Sequence, residues 1–537
     1  MINQGKFKRQ LSLSDLTFIG FGSMFGSGWL FASSHVASIA GPAGIISWVV
    51  GGFAILLLGL VFSELGASLP RGGAVVRFPV YSHGPIMGYL IGSITLIANS
   101  SLVAIEVEAA RQYAASWIPF LTQKGSTLPT VQGWLFQFIL LTLFFTLNYW
   151  SVKIFARSNT IITLFKFIVP LLTIVVLLSQ MKWNNFTVGG FAPFGFSGVQ
   201  SAISVGGVIF AYLGLTPIVS IASEVKNPQK TIPIALILSA VLATIIYLFL
   251  QIAFIGGIPT NTLSSGWAGI SSQFSLPFRD IAIKLGFAWL TLFIIMDAII
   301  SPTGTGNIFL SASSRVVYGW AKSGTLFKIF SKIDKKSGVP RPALWLSFIL
   351  SIFWTLPFPS WEALISVVSA ALILSYAIAP ISAAALRRNA PDLPRPFHLK
   401  GMSVIGPLAF IIASLIVYWS GWGTISWLLG SQIVMFAIYL LCKKVVPTDE
   451  VSMMQQVKSS AWLIFYYVAT MIVSYFGTFG GTGILQAPWD FLAVALISLV
   501  SYYLGTYTCL PKAIFDDVSD EVEETITTEN KNAAGLG

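Results

Sequence analysis

The fold is decided by a glycine-rich stretch in the first apolar segment, which reads Ile19-Gly20-Phe21-Gly22-Ser23-Met24-Phe25-Gly26-Ser27-Gly28-Trp29-Leu30-Phe31. A helix in lipid must satisfy every backbone group internally, so it normally avoids such a cluster of glycines. If this stretch unwinds, the following half-helix presents free N–H groups and its positive dipole end, which suit a carboxylate, while the preceding half leaves carbonyls for an ammonium. The stretch therefore predicts a binding site for a small molecule that carries both groups.

A second apolar segment repeats the feature, and it reads Gly206-Gly207-Val208-Ile209-Phe210-Ala211-Tyr212-Leu213-Gly214-Leu215-Thr216-Pro217. Breaks at corresponding places in two halves of a membrane protein predict inverted repeats with a binding site at their interface. A dinucleotide-binding fingerprint is excluded, because no glycine stands at position 25 and no strand precedes the stretch. Close helix packing remains an alternative reason for the glycines.

The composition places the whole chain in a lipid bilayer. Of its 537 residues, 55% are hydrophobic and only 9% are charged, and the mean hydropathy is +0.80. Soluble domains average about 25% charged residues. This composition excludes a coiled coil, a disulfide scaffold and a soluble enzyme with a terminal anchor, and the two cysteines, Cys442 and Cys509, both fall in apolar runs.

Apolar runs of about 20 residues, enough to cross a bilayer, predict an all-α integral membrane protein with about fourteen transmembrane helices. The runs lie near residues 17–40, 43–68, 84–112, 131–150, 158–180, 199–222, 232–257, 287–314, 342–358, 363–386, 402–420, 424–442, 459–480 and 488–510. Residues 258–281 form the longest external connection and are expected to hold a short gate helix.

Lysine and arginine accumulate in alternate loops, which predicts that both termini are cytoplasmic and that the protein is multi-pass in the cell membrane. The net charge of +11 is therefore interpreted as a topology signal, not as a sign of a nucleic acid partner. Residues 513–537 are acidic and are predicted to be a disordered tail.

A few charged residues lie inside the predicted spans, where a charge costs on the order of 2.5–3.5 kcal/mol. Lys166 lies near mid-membrane and is predicted to load and release a proton, with snorkelling to the interface as the alternative. Asp297 is expected either to bind a substrate amine, to relay a proton or to be hydrogen-bonded in a polar seam. Glu106 is a further candidate for proton coupling.

Arg111 lies one helical turn after Glu108. Arg111 could recognise a second substrate carboxylate with bidentate geometry, or it could form a structural ion pair with Glu108, and both interpretations stay open. The histidines His35, His83 and His398 lack metal-ligand spacing, so no metal is expected. No nucleophile and base pattern points to an enzyme.

Several motifs together resemble the amino acid, polyamine and organocation permease superfamily. They include the first glycine stretch and, in order, Ser63-Glu64-Leu65, Pro70-Arg71-Gly72-Gly73, Phe210-Ala211-Tyr212-Leu213-Gly214, Glu224-Val225-Lys226-Asn227-Pro228 and Arg395-Pro396-Phe397. One departure is Thr216, where many relatives carry a glutamate, so a role for that carboxylate is not transferred.

The resemblance implies a transport core of two inverted five-helix repeats with helices one and six interrupted. It divides the chain into an N-terminus at 1–16, the core at 17–400, four added helices at 401–511 and an acidic tail at 512–537. By the motif match, the substrate would be lined by Met24, Ser27, Gly28, Phe210, Ala211, Leu213 and Gly214, with Tyr212 supporting the site. A lysine matching Lys166 has the proton role in proton-coupled members.

The expected function is secondary active transport: proton-coupled uptake of an amino acid, L-aspartate or L-glutamate, driven by the proton gradient without a cofactor. A neutral amino acid permease or exchanger is the nearest alternative. A channel would need a continuous polar stripe and an integral-membrane enzyme would need clustered histidines and acids, and neither pattern is present in the sequence.

Overall fold

The computed structural model describes residues 6–150, 152–357, 360–441 and 451–515. Over these ranges the protein is built from α-helices and short 3-10 turns, with two isolated β-bridges and no strand. Cys442 and the predicted disordered tail from residue 516 onward lie outside the described residues.

Twenty α-helices follow one another along the described chain. They are α1 (Leu13–Met24), α2 (Gly28–Ala40), α3 (Gly44–Ser68), α4 (Ala74–His83), α5 (Pro85–Ala114), α6 (Val131–Trp150), α7 (Val152–Ser179), α8 (Gly195–Ser204), α9 (Val208–Ala211), α10 (Leu215–Ser220), α11 (Pro228–Gly257), α12 (Ile270–Gln273), α13 (Pro277–Lys284), α14 (Ala288–Lys322), α15 (Arg341–Thr355), α16 (Trp361–Asn389), α17 (Met402–Tyr418), α18 (Trp422–Leu441), α19 (Met453–Phe476) and α20 (Trp489–Thr508).

Ten helical stretches in the described part are long and apolar enough to cross a membrane, when α1 to α3 are taken as one stretch, Leu13–Ser68. The protein is therefore multi-pass and all-helical, as expected. Each of the fourteen predicted runs contains at least one helix, but α15 and α17 are shorter than a full span and the sixth run is divided into three short helices. The length and composition of the helices thus identify fewer membrane-spanning segments than the fourteen apolar runs predicted from the sequence.

Both glycine-rich stretches interrupt their helices, as the sequence predicts. Helix α1 ends at Met24 and α2 begins at Gly28, so residues 25–27 connect two half-helices. The second stretch is broken twice, at residues 205–207 and 212–214. Gly207 has φ +99°, a conformation that glycine adopts without strain. The sequence predicts an interruption in the stretch from Gly206 to Pro217, and the structure contains two.

The first break lies at the centre of the bundle. Helix α1 packs against α7, α11 and α14, while α5 packs along α14 and α16, and these neighbours enclose residues 25–27. The apolar side chains of these helices form one continuous buried cluster that extends to α20. The connection between α11 and α14 carries the short helices α12 and α13, both packed against α2, so a short helix is present in residues 258–281 as expected.

The segment before α1 is tied to the turn that follows α10, and we call residues 7–11 the N-terminal strap. Main-chain N–H groups of Gln10 and Leu11 both donate to the carbonyl of Glu224, at 2.8 and 3.0 Å. Phe7 is fully buried and packs edge-on against Tyr318, with the ring centres 5.0 Å apart. The strap therefore holds the start of α1 against elements that follow it by more than 200 residues.

Candidate functional site

The two interrupted stretches face each other across a narrow gap. A Cβ atom on Gly28 would lie 2.8 Å from the Cβ of Ala211, so only glycine at position 28 permits this approach. The hydroxyl of Ser23 donates to the carbonyl of Gly214 at 3.2 Å, and a side chain at position 214 would collide with Met24. The residues predicted from the motif match are thus brought together from two segments far apart in sequence.

Aromatic side chains close around the same gap. The hydroxyl of Tyr247 on α11 donates to the carbonyl of Met24 at 2.7 Å, and Trp361 on α16 meets Phe210 edge-on with ring centres 5.7 Å apart. Leu213 is buried. Tyr212 donates to the main-chain carbonyl of Trp48 at 3.0 Å, which fits the supporting position expected for it.

Lys166 on α7 reaches the C-terminal end of α1. Its Nζ donates to the carbonyl of Gly22 at 2.7 Å and to the hydroxyl of Thr305 at 2.6 Å, and the side chain is fully buried. Thr305 in turn donates to the carbonyl of Gly22 at 2.8 Å. The burial of Lys166 inside the bundle excludes snorkelling, and the amine is held by the Gly22 carbonyl in the last turn of α1 and by the hydroxyl of Thr305.

Glu106 on α5 reaches the opposite half of the break, at the N-terminus of α2. Its carboxylate accepts the main-chain N–H of Ser27 at 2.9 Å and the Ser27 hydroxyl at 3.1 Å. The indole of Trp361 donates to the same hydroxyl at 2.9 Å. A Cβ on Gly26 would lie 2.6 Å from Glu106 Oε1, so the glycine leaves room for this carboxylate.

The two half-helix ends are therefore matched by internal charges of opposite sign. A helix carries a partial negative charge at its C-terminus and a partial positive charge at its N-terminus. The ammonium of Lys166 lies at the C-terminal end of α1 and the carboxylate of Glu106 lies at the N-terminal end of α2, and the two charges interact electrostatically. An ionisable amine and an ionisable carboxyl group thus lie at the two ends of the break.

Asp297 lies on the face of α14 that is turned towards the break. It is fully buried beside the indole of Trp29 and interacts electrostatically with Lys166. One and two turns further along, Ser301 donates to the carbonyl of Phe25 at 3.2 Å and Thr305 donates to that of Gly22. Asp297 is thus part of the polar face that contacts the break.

Arg111 is engaged in a buried ion pair. Its guanidinium donates to Glu108 at 2.7 and 3.1 Å, to the hydroxyl of Thr122 and to the carbonyl of Thr127. Gln137 on α6 donates to the other oxygen of Glu108 at 2.7 Å. Of the two interpretations left open by the sequence, these contacts favour the structural ion pair over a substrate contact.

Sequence reasoning missed Tyr247 and Trp361, because aromatic residues in apolar helices carry no signal of their own. Ser301 was also missed, although its spacing of four residues from both Asp297 and Thr305 marks one helix face. Among the described residues, no group of three or more His, Cys, Asp or Glu side chains is arranged to hold a metal ion.

An apolar helical bundle with two broken helices around a buried amine and carboxylate defines a secondary membrane transporter. The sequence profile of the family described as "Amino acid permease" matches residues 11–474, and the chain belongs to this family. It is 60% identical over 517 residues to the "Aspartate-proton symporter" of Bacillus subtilis (strain 168), covering 96% of this chain and 99% of that one.

Two further relatives come from the same organism. The "Glutamate/serine transporter AimA" is 37% identical over 539 residues, covering 98% of this chain and 99% of its own. The "Branched-chain amino acid permease BcaP" is 30% identical over 447 residues, covering 81% and 93%. All three are named as transporters or permeases, which confirms the prediction of an amino acid transporter and not an enzyme.

Proposed function

We propose that this protein is a proton-coupled symporter that takes up an acidic amino acid, L-aspartate foremost, across the cell membrane. The observation that carries the proposal is the buried Lys166 amine on the carbonyl of Gly22, in a chain that is 60% identical to an aspartate-proton symporter over almost its whole length. The proton gradient is the driving force, and no cofactor is required.

The α-carboxylate of the substrate would bind the N–H groups at the start of α2, near Ser27 and Gly28. Its ammonium would bind free carbonyls of the second break, around Phe210, Ala211 and Leu213. These contacts use main-chain atoms and so recognise the part common to all amino acids.

Lys166 would couple transport to the proton. While it is charged, its bonds to Gly22 and Thr305 hold the end of α1 against α7 and α14. Loss of the proton weakens both contacts, because a charged donor makes the stronger hydrogen bond. Helix α1 would then be free to move, and Asp297 and Glu106, which act on Lys166 electrostatically, would exchange the proton with it.

The proposal includes a finer description of the fold. Fourteen membrane crossings would comprise two inverted five-helix repeats in residues 17–400, with α1 and α2 forming the first crossing and α8 to α10 the sixth. Residues 401–511 would add four crossings, and both termini, including the tail from residue 512, would be cytoplasmic. The basic loops support this orientation.

Radiolabelled L-aspartate uptake into proteoliposomes tests the function. Uptake should rise above the level of equilibration when the outside is more acidic than the inside, and it should fall to that level when an ionophore collapses the proton gradient. Equal accumulation with and without the gradient would contradict proton symport.

A second candidate function is uptake of a small neutral amino acid such as serine. This alternative is favoured because Arg111 is already paired with the buried carboxylate of Glu108. Arg111 is therefore not free to bind the side-chain carboxylate of an acidic substrate. Competition of acidic, basic and neutral amino acids against labelled aspartate distinguishes the two, because an aspartate symporter is inhibited most strongly by acidic compounds.

A further inference from the structure

We propose that the carboxylate of Glu106 is a built-in competitor of the substrate, which occupies the α-carboxylate position at the N-terminus of α2 until a substrate displaces it. This inference rests on the proposed function, because it assumes that an amino acid binds at the break. It assigns Glu106 a direct part in recognition.

The hydrogen bonds of Glu106 support this assignment. One oxygen of Glu106 accepts the main-chain N–H of Ser27 at 2.9 Å and the other accepts the Ser27 hydroxyl at 3.1 Å. An amino acid carboxylate would need the same donors, since unpaired N–H groups at a helix start form the natural site for a carboxylate. The carboxylate is supplied here by α5, 79 residues away in sequence.

Space around the carboxylate leads to the same conclusion. A Cβ on Gly26 would lie 2.6 and 2.9 Å from the two oxygens of Glu106 and 2.8 Å from the hydroxyl of Thr305. The carboxylate of Glu106 is thus packed against the break itself, and a second ionised carboxylate at the same N–H would be repelled by it, because like charges repel. Either Glu106 withdraws or it becomes neutral when the substrate arrives.

Competition of this kind links substrate binding to one proton. A proton taken up by a Glu106 oxygen removes its negative charge, and the N–H of Ser27 then passes to the substrate carboxylate. When the substrate leaves on the other side, the proton leaves Glu106 and the carboxylate returns to Ser27. The charged or titratable groups facing Glu106 are Lys166 on α7, Tyr247 on α11 and, through Lys166, Asp297 on α14.

Binding of tritiated L-aspartate to the purified protein in lipid nanodiscs tests the inference. At about pH 9, well above the pKa of a free carboxyl group, Glu106→Gln should bind aspartate about tenfold more tightly than the wild type, since a neutral amide is the weaker competitor. The wild-type affinity should rise towards about pH 5.5, whereas that of Glu106→Gln should change by less than about twofold, because protonation relieves the competition only where a carboxylate is present.

The matched control is Asp490→Asn, which neutralises another fully buried carboxylate, on α20, where it is bound by Tyr418 and Thr478. It should retain the affinity and the pH dependence of the wild type. The inference is overturned if folded Glu106→Gln binds aspartate no more tightly than the wild type, or if it keeps the wild-type pH dependence.

Two further measurements cover the remaining outcomes. If Glu106→Gln does not fold, Ser27→Ala removes one of the two bonds and should still tighten binding, by about threefold; unchanged or weaker binding overturns the inference. If the wild type does not bind aspartate, the substrate assignment fails, and the same comparison is made with whichever amino acid the competition panel identifies, because the competition concerns the α-carboxylate.

Discussion

Lys166 shows how a buried charge can be stabilised by polar groups in contact with it and by nearby carboxylates. Its hydrogen bonds go to the carbonyl of Gly22 and the hydroxyl of Thr305, and the carboxylates of Glu106 and Asp297 act on it electrostatically. The depth of Lys166 could be predicted from its distance to the basic loop. Its partners could not, because they lie 139 and 144 residues away and meet it only in the packed bundle.

Replacing Lys166 with methionine tests its coupling role, since methionine keeps an unbranched side chain but has no amine. We expect Lys166→Met to lose proton-driven accumulation of aspartate in proteoliposomes, because the contact of α7 with the end of α1 then no longer depends on a proton. The exposed Lys182 gives the matched control, and Lys182→Met should accumulate aspartate as the wild type does. Full accumulation by the Lys166 variant would remove it from the mechanism.

Gly26 contributes to the site through its lack of a side chain and not through charge. We expect Gly26→Ala to lower aspartate binding by at least about tenfold, because the new methyl group would lie 2.8 Å from the hydroxyl of Thr305 and would push the break away from α14 even after Glu106 has withdrawn. Gly59→Ala is the control, since its Cβ would meet only Leu215 at 3.6 Å. Equilibrium binding to purified protein measures both, and wild-type affinity in Gly26→Ala would contradict the site geometry.

Among the elements, the pair α1 and α2 was predictable because glycine spacing reports backbone freedom directly. An interruption between Gly206 and Pro217 was predictable for the same reason, but its division into two breaks was not, because the glycine pattern does not give the number of breaks. The polar face of α14, with Asp297, Ser301 and Thr305, follows from helical periodicity. That this face lies against the first break follows only from the contacts of Ser301 and Thr305 with its carbonyls.

The ion pair of Glu108 and Arg111 belongs to the element scale, because it joins α5 to α6 and to the loop between them. We expect Arg111→Met to destabilise the protein by about 3–5 kcal/mol, since it leaves a buried carboxylate without its partner. Adding Glu108→Gln should restore part of that loss.

Thermal unfolding in detergent and aspartate binding together measure these effects. Folded Arg111→Met should bind aspartate with an affinity close to that of the wild type. A selective loss of acidic substrates, with serine binding unchanged, would instead make Arg111 a substrate contact.

At the scale of the whole molecule, the apolar runs predicted where helices form, and the basic loops predicted a topology. The arrangement of the helices in the bundle could not be predicted from the sequence, because their packing depends on contacts such as that of Tyr247 with Met24, which are 223 residues apart. The tie between Glu64 on α3 and Arg387 on α16 is another such contact.

The predicted topology can be checked with single cysteines in a variant that lacks Cys442 and Cys509. Lys336 and Lys124 both have exposed side chains on loops. In intact cells, Lys124→Cys should react with a membrane-impermeant maleimide and Lys336→Cys should react only after permeabilisation. The opposite pattern would invert the orientation.

The N-terminal strap has a consequence for how relatives are compared. Its bonds to Glu224 and the bond from Lys226 to Leu11 use main-chain atoms, so they place almost no demand on which side chains stand at these positions. Substitutions could accumulate at positions 10 and 226 without loosening these bonds, whereas Phe7 and Leu11 are also constrained by their burial, so a comparison of side chains would score positions 10 and 226 as unimportant. The strap would instead be visible among relatives as the absence of proline at positions 10, 11 and 226, because proline has no main-chain N–H to donate.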